Sequence, residues 1–379
     1  MDFQFNEEQE LIVRMVREFA ETEVAPKAAE LDKNHRFPEE TVARMAELEL
    51  MGIPIPEKYG GCGSDYLTYV MVVEELAKAC ATTGVILSVH MSVCTYPIYQ
   101  LGTDAQKENY VIPLASGKKL GAFALTEPGA GSDAAAQQAT AVRKGDHYVL
   151  NGTKCFITNG AYADVFIVAA MTDKSRGTKG ISTFIVEKGF PGFSVGQTED
   201  KMGIKGSSTT EIILKDCIVP AENLLGKEGE GFKVAMTALD GGRISIAAQA
   251  VGIAQASLDA SIAYVRVREQ FGKLIASFQS LQFMIAEMAT KIEAARGLVY
   301  RAAWLKDNHQ PVTQVSAMAK YYAAETASWC SNRAVQIHGG AGYTTAYPVE
   351  RYMRDAKVTE IYEGTTEIQK IVIAGSLLR

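Results

Sequence analysis

From residue 1 to about 118 apolar side chains return every three or four positions. Ile12, Met15, Val16 and Phe19 make one such stripe, and Val42, Met45 and Leu48 make another after Pro38. Asn6 with Gln9 three residues on predicts a capped start for the first helix. The run Gly52-Ile53-Pro54-Ile55-Pro56-Glu57-Lys58-Tyr59-Gly60-Gly61 excludes a regular helix and reads as a loop. Helical spacing resumes from Val70 to Ala79. The uncharged stretch Ala79–Thr103 follows, with His taken as neutral, and reads as a buried helix pair. Pro113 and Gly117 close the section.

The period then changes. Short β-branched and aromatic runs (Gly121–Leu125, Tyr148–Leu150, Val165–Ala169, Ile181–Val186, Glu211–Leu214) are separated by the turn signals Gly145-Asp146, Asn151-Gly152, Asn159-Gly160 and Pro191-Gly192. These spacings leave no room for crossover helices, so the pattern predicts a small antiparallel β-domain over 119–225. From residue 226 helical spacing returns. Ile244–Leu258 is uncharged and Ala-rich, which predicts a helix buried on most sides. Leu281, Met284, Ile285, Met288, Ile292, Ala295, Leu298, Val299, Ala302 and Leu305 form one long stripe. Gly339-Gly340-Ala341-Gly342-Tyr343 interrupts the helices as a loop. The expected division is 1–118 helical, 119–225 β and 226–379 a helical bundle.

One stretch near the end gathers unusual chemistry: Glu360-Ile361-Tyr362-Glu363-Gly364-Thr365-Thr366-Glu367-Ile368-Gln369. Glu363 stands between an aromatic ring and a glycine. Thr366 and Gln369 have the spacing of a capping box, and Ile368, Ile371, Val372 and Leu378 support a helix after it. The pattern is a carboxylate on a tight turn at a helix mouth; an acid simply favoured by the helix macrodipole is the plain alternative.

Composition narrows the classes. At 379 residues and a net charge of -6 the chain gives no reason to expect nucleic-acid binding. Its six cysteines are scattered, none in a Cys-x-x-Cys pair, which reads as reduced thiols in a reducing compartment. Met1-Asp2-Phe3 leads into an acidic amphipathic segment with no basic or Arg-rich leader pattern, and Ala79–Thr103 is too polar for a membrane span. A soluble, cytoplasmic protein is the expectation. The sequence contains no G-x-G-x-x-G after a strand, no P-loop, no G-x-S-x-G and no H-E-x-x-H.

Five polar-glycine segments remain. Phe123-Ala124-Leu125-Thr126-Glu127-Pro128-Gly129-Ala130-Gly131-Ser132-Asp133 follows a strand and offers N–H and hydroxyl donors to carbonyls or phosphates, as would a surface loop. The second is Cys155-Phe156-Ile157-Thr158-Asn159-Gly160. The third, Asp240-Gly241-Gly242-Arg243, reads as a helix start whose Arg pairs either an anionic ligand or Asp240. The last two are Arg268-Glu269-Gln270-Phe271-Gly272, with Gln279 beyond it, and Gln336-Ile337-His338-Gly339-Gly340.

In this order, over essentially the whole chain, these segments resemble the acyl-CoA dehydrogenase family, and most of all its short-chain, butyryl-CoA branch. The resemblance implies an N-terminal helical domain, an antiparallel barrel-like middle domain and a C-terminal four-helix bundle. It also implies one FAD per subunit and a homotetramer. By motif, Glu363 matches the base that removes the α-proton of an acyl-CoA, the hydride going from Cβ to flavin N5. Phe123, Leu125, Thr126, Gly131 and Ser132 match the loop at the flavin ring, with Ser132 also reaching the thioester. Phe156, Ile157 and Thr158 match the strand over the flavin, where many relatives carry Trp in place of Phe156. Arg268, Phe271, Gln279, Gln336, Gly339 and Gly340 match FAD contacts made across a subunit interface, and Thr365 and Glu367 match the adenosine end. Asp240 and Arg243 match CoA contacts, and Tyr362 and Gly364 flank the base beside the acyl chain.

Isovaleryl and some long-chain relatives carry the base immediately before the Arg of the third segment; here Gly242 stands there, leaving the role to Glu363. Gln249 and Thr359 match positions where short-chain relatives floor the pocket with polar side chains, which implies a four-carbon acyl group; a buried helix glutamine bonded to backbone is the plain alternative for Gln249. The resemblance implies an electron-transferring flavoprotein as redox partner. An oxygen-reacting acyl-CoA oxidase and a non-catalytic acyl-CoA-binding protein are the competing readings.

Overall fold

The computed structural model describes residues 5–378, so the Met1-Asp2-Phe3 opening lies outside the described residues. Asn6 caps the helix Glu7–Phe19 as its spacing predicts. Its side chain accepts from the Gln9 N–H at 2.8 Å, and the Gln9 side chain accepts in return from the Asn6 N–H at 3.0 Å. Asp65 does the same service for the helix Tyr66–Ala79, accepting from the Thr68 N–H. The Gly52–Gly61 region holds no α-helix, only two single 3-10 turns, Leu50–Gly52 and Glu57–Tyr59. The uncharged stretch differs from the expected helix pair. It is one continuous helical run, Ala81–Val89, a π-helical turn His90–Thr95, and Tyr96–Leu101. The wider π turn carries the chain past Pro97, whose missing N–H would break a regular helix.

Eight strands between Gly121 and Leu225 form one sheet. They are β1 (Gly121–Ala124), β2 (Thr140–Lys144), β3 (His147–Thr158), β4 (Val165–Met171), β5 (Ile181–Glu187), β6 (Phe193–Thr198), β7 (Thr209–Pro220) and β8 (Leu224–Leu225), in the order β6-β7-β3-β2-β4-β5-β8, with β1 beside β4. Pairing is antiparallel, as expected, with one refinement: β4 runs parallel to β1 and meets the end of β2 in parallel at Thr140. The β2–β3 hairpin reverses the chain between β1 and β4, so no helical crossover is needed. Asn151-Gly152 is not a turn. It is a bulge inside β3 where the register with β7 shifts, with Gly152 at φ +149 and its missing Cβ leaving room for Ala139. Tyr148, Leu150, Ile157, Phe166, Phe184 and Ile212 fill the core of this layer.

The C-terminal part is built on Gly231–Val265, a helix of 35 residues buried through Gly241–Ala254. Gln279–Asp307 and Thr313–His338 pack against it, with Val349–Val358 and Thr366–Leu377 completing the layer. The long stripe faces inward: Met288, Ile292, Ala295, Val299 and Ala302 are all buried. By length and composition Gly231–Val265 could cross a membrane, but 72% of its most apolar window is buried inside this fold. The final helix departs from its pattern, since Ile371 and Leu378 are exposed in the single chain.

Candidate active site

The turn Tyr362–Thr365 connects the helices Val349–Val358 and Thr366–Leu377. Glu363 and Gly364 both take positive φ, +55 and +91, which a glycine adopts freely and a glutamate only when its surroundings hold it there. The helix cap is Thr365, whose hydroxyl accepts from the Ile368 N–H at 3.3 Å; the box expected from Thr366 and Gln369 does not form. Gln369 is used instead on the turn. Its side-chain amide donates to the Glu363 carbonyl at 3.0 Å and to the Gly364 carbonyl at 2.8 Å. Lys320, fully buried on Thr313–His338, donates to the same Gly364 carbonyl at 2.6 Å.

The Glu363 carboxylate therefore projects from a clamped backbone. Among the described residues its Oε2 is buried without a hydrogen-bond partner and its N–H donates to no carbonyl. Desolvation pushes the carboxyl up to about 7, against the opposing pull of the Arg243 and Lys320 charges. Gly242 lies directly under it, because a Cβ there would stand 2.7 Å from Glu363 Oε2 and 2.8 Å from Val93 Cγ1.

Asp240-Gly241-Gly242-Arg243 is not a helix start. The helix runs straight through it, since tight packing, not a turn, requires the glycines. Arg243 Nη1 pairs Asp240 at 2.7 Å, and Thr313 donates to the other Asp240 oxygen at 2.6 Å. Arg243 Nε is buried and has no partner among the described residues. The Tyr362 hydroxyl donates to Gln249 Oε1, while the Gln249 side chain donates to the Ala81 carbonyl at 2.9 Å. Gln249 is thus joined to the residue beside Glu363 as well as to backbone. The Thr359 hydroxyl is buried and donates to Ala356 in its own turn.

The β-layer brings the first two segments together. The Cys155 N–H donates to the Thr126 carbonyl at 2.9 Å. Buried Lys154 donates to the Leu125 carbonyl, Glu127 Oε1 and Gln137 Oε1, at 2.9, 2.8 and 2.9 Å. Gly131 and Ser132 are exposed on the loop, and Phe123, Thr126 and Thr158 are half-buried. Phe156 is 62% exposed at φ +58, beside a bulge in β3. Ile157 points into the β-core, its main chain paired opposite Thr210 of β7 and its carbonyl accepting from the Gly160 N–H at 3.1 Å.

A separate groove of about 790 Å³ gathers Arg268, Phe271, Gly339 and Gly340 with Tyr264 and His338, whose rings stack 4.2 Å apart. Phe271 caps a two-stranded hairpin and is 91% exposed, and a Cβ at Gly339 or Gly340 would meet nothing within 4 Å. An exposed guanidinium, aromatic walls and a glycine floor fit the pyrophosphate and ring of a dinucleotide. Gln279, Gln336 and Glu367 are exposed outside this lining. Lys320 and Lys154 escaped the sequence reading, and Gln369 was read only as half of a capping box. For Lys320 a signal exists: a lysine on the Ala317, Ala324, Ala327 face of a buried helix.

The chain matches the family models for the acyl-CoA dehydrogenase N-terminal domain over residues 6–118, the middle domain over 122–217 and the C-terminal domain over 229–378. It is 57% identical, over 379 residues and all of both chains, to the short-chain specific acyl-CoA dehydrogenase of Clostridium acetobutylicum. The solved butyryl-CoA dehydrogenase of Megasphaera elsdenii superposes with a TM-score of 0.99 at 50% identity, with 100% of both chains covered. A chain from structural work on the electron transferring flavoprotein of Acidaminococcus fermentans and flavin-based electron bifurcation does so with a TM-score of 0.99 at 56% identity, again over 100% of both.

Proposed function

The chain belongs to the acyl-CoA dehydrogenase family, and from that premise we propose that it interconverts short-chain acyl-CoA and trans-2-enoyl-CoA, butyryl-CoA and crotonyl-CoA above all, with Glu363 as the base at Cα. The observation that carries this reading is the Glu363 carboxylate, desolvated, with one oxygen unpartnered and held on a clamped turn. A base whose pKa lies near the working pH combines availability with strength, and burial provides that here. The unpaired Glu363 N–H is a donor for the thioester carbonyl as charge develops on its oxygen; one such donor is worth ~10²–10³ in rate. Bound FAD supplies the hydride acceptor, flavin N5. The loop Phe123–Ser132 and the strand end Phe156–Thr158 hold its ring, while Arg268, Phe271, Gly339 and Gly340, with Gln279, Gln336, Thr365 and Glu367 around them, hold its remainder.

Asp240 and Arg243 face the CoA moiety, and Gln249, Tyr362, Gly364 and Thr359 bound the acyl end. The exposed hairpin around Phe271 and the exposed apolar residues of the last helix support a homotetramer in which neighbouring subunits complete each FAD site. The same reading includes an electron-transferring flavoprotein as partner, a cytoplasmic location, and division of the chain at residues 118 and 225.

The test is an anaerobic visible spectrum before and after adding butyryl-CoA. The expected result is a flavin spectrum that bleaches and gains a long-wavelength charge-transfer band. A flavin that no acyl-CoA perturbs overturns the proposal, and rapid oxygen consumption with butyryl-CoA replaces it with an oxidase. A second check concerns Gly242. Gly242→Ala improves helix propensity by ~1 kcal/mol but pushes a methyl onto the carboxylate and Val93. Turnover is expected to fall ~10-fold while flavin content is unchanged, because displacement of a reacting group by even ~1 Å costs rate steeply.

A further inference from the structure

Lys320 has an unusual situation. It is fully buried, yet it forms no ion pair among the described residues, and its one hydrogen bond is to a neutral carbonyl, Gly364 O at 2.6 Å. A buried ammonium without a bonded counter-charge is costly, so a structural role alone would be served as well by an uncharged donor. Gln369 is such a donor, and it already holds both carbonyls of the same turn. What the ammonium adds is charge, one residue away from Glu363.

We propose that Lys320 is a positioning residue for the base: it locks the Glu363–Gly364 turn through the Gly364 carbonyl and, by its charge, keeps Glu363 ionised enough to accept a proton near neutrality. This rests on the reading of Glu363 as the base. Other groups also face that carboxyl. Arg243 on Gly231–Val265 pulls in the same direction, and the buried Tyr66 and Tyr69 hydroxyls approach from Tyr66–Ala79. Tyr362 lies beside it on the turn. Around Lys320 itself, Glu363, Glu360 and Glu367 favour its charge while Arg243 opposes it, and burial lowers the ammonium to about 8. Lys320 and Arg243 thus share the work of offsetting Glu363 desolvation, but only Lys320 also touches the backbone that carries Glu363.

The experiment compares the FAD-loaded wild type with Lys320→Met and Gln369→Leu. Lys320→Met removes charge and donor at nearly constant length, and the acid limb of kcat/KM for butyryl-CoA is expected to move up by ~1 pH unit. Turnover near pH 7 falls ~10-fold and largely recovers at high pH. Gln369→Leu removes a neutral clamp, so turnover falls with the limb in place. An independent readout needs no turnover: the pH midpoint of the thermal-stability difference between each protein and its Glu363→Gln derivative reports Glu363 directly. It too moves up in Lys320→Met. If Lys320→Met does not fold, Lys320→Gln, which keeps a donor without charge, gives the same comparison. An unmoved limb and midpoint in these variants overturn the proposal, as does an equal shift in Gln369→Leu. Loss of the base reading looks different: turnover would survive Glu363→Gln in the wild-type background.

Discussion

Glu363→Gln is expected to lose ~10²–10⁴ in turnover with butyryl-CoA while gaining stability at alkaline pH. The first effect is the usual contribution of a positioned general base. The second follows from linkage. Burial holds the native carboxyl at about 7 against an ordinary 4.5. Between these values the native state binds a proton that the unfolded chain has released, so stability falls as pH rises through the window. Above about 7 the native protein carries the whole cost of a buried charge, ~3 kcal/mol at most for a displacement of that size. An amide carries none of it. Thermal melts of wild type and variant should coincide near pH 4 and separate by several degrees above pH 7.5, the variant melting higher. Coincidence at every pH would mean that the carboxylate is not desolvated in solution. Near-wild-type turnover would remove it from the chemistry.

Lys154→Met is expected to destabilise the protein by ~3–5 kcal/mol, the usual cost of removing one partner from a buried ion pair. Lys154 is fully buried, and its ammonium joins the Leu125 carbonyl, Glu127 and Gln137. Without it Glu127 remains a buried anion supported by the Gln138 and Ala139 N–H groups. The anchored segment continues into the Gly129–Asp133 loop, exposed at Gly131, Ser132 and Asp133, so loosening should also raise FAD loss on gel filtration. Pairing the change with Glu127→Gln removes the stranded charge and should restore part of the urea midpoint. A double variant less stable than the single one would show that the charge of Glu127 is held by something other than Lys154.

The sequence displayed the parts of this fold that depend on local period. The stripe from Leu281 to Leu305, the Asn6 cap and the change to alternation at Gly121 all appear where the spacing puts them. What it concealed depends on partners distant in the chain. The two glycines before Arg243 look like a helix start, but tight packing against Glu363, Val93 and the Tyr66 hydroxyl requires them inside the helix. Asn151-Gly152 looks like a turn, but pairing with β7 makes it a bulge. The Thr366–Gln369 spacing suggests a cap, but Gln369 finds better acceptors in two carbonyls that the strained turn leaves free. Among site residues, Glu363 stood out by its neighbours, whereas Lys320 could be found only by asking why a lysine sits on an alanine face.

The distribution of the thiols has a practical use. Cys80, Cys94, Cys155, Cys217 and Cys330 are free and buried, in the first helices, the sheet and the bundle respectively. Burial pushes the Cys94 and Cys330 thiols up to about 12, which suppresses the thiolate as well as access to it. An alkylating reagent can then reach each one only when its own region opens. Peptide-resolved labelling of the unaltered protein would rank the opening frequencies of its three parts, with half-buried Cys62 as the internal reference.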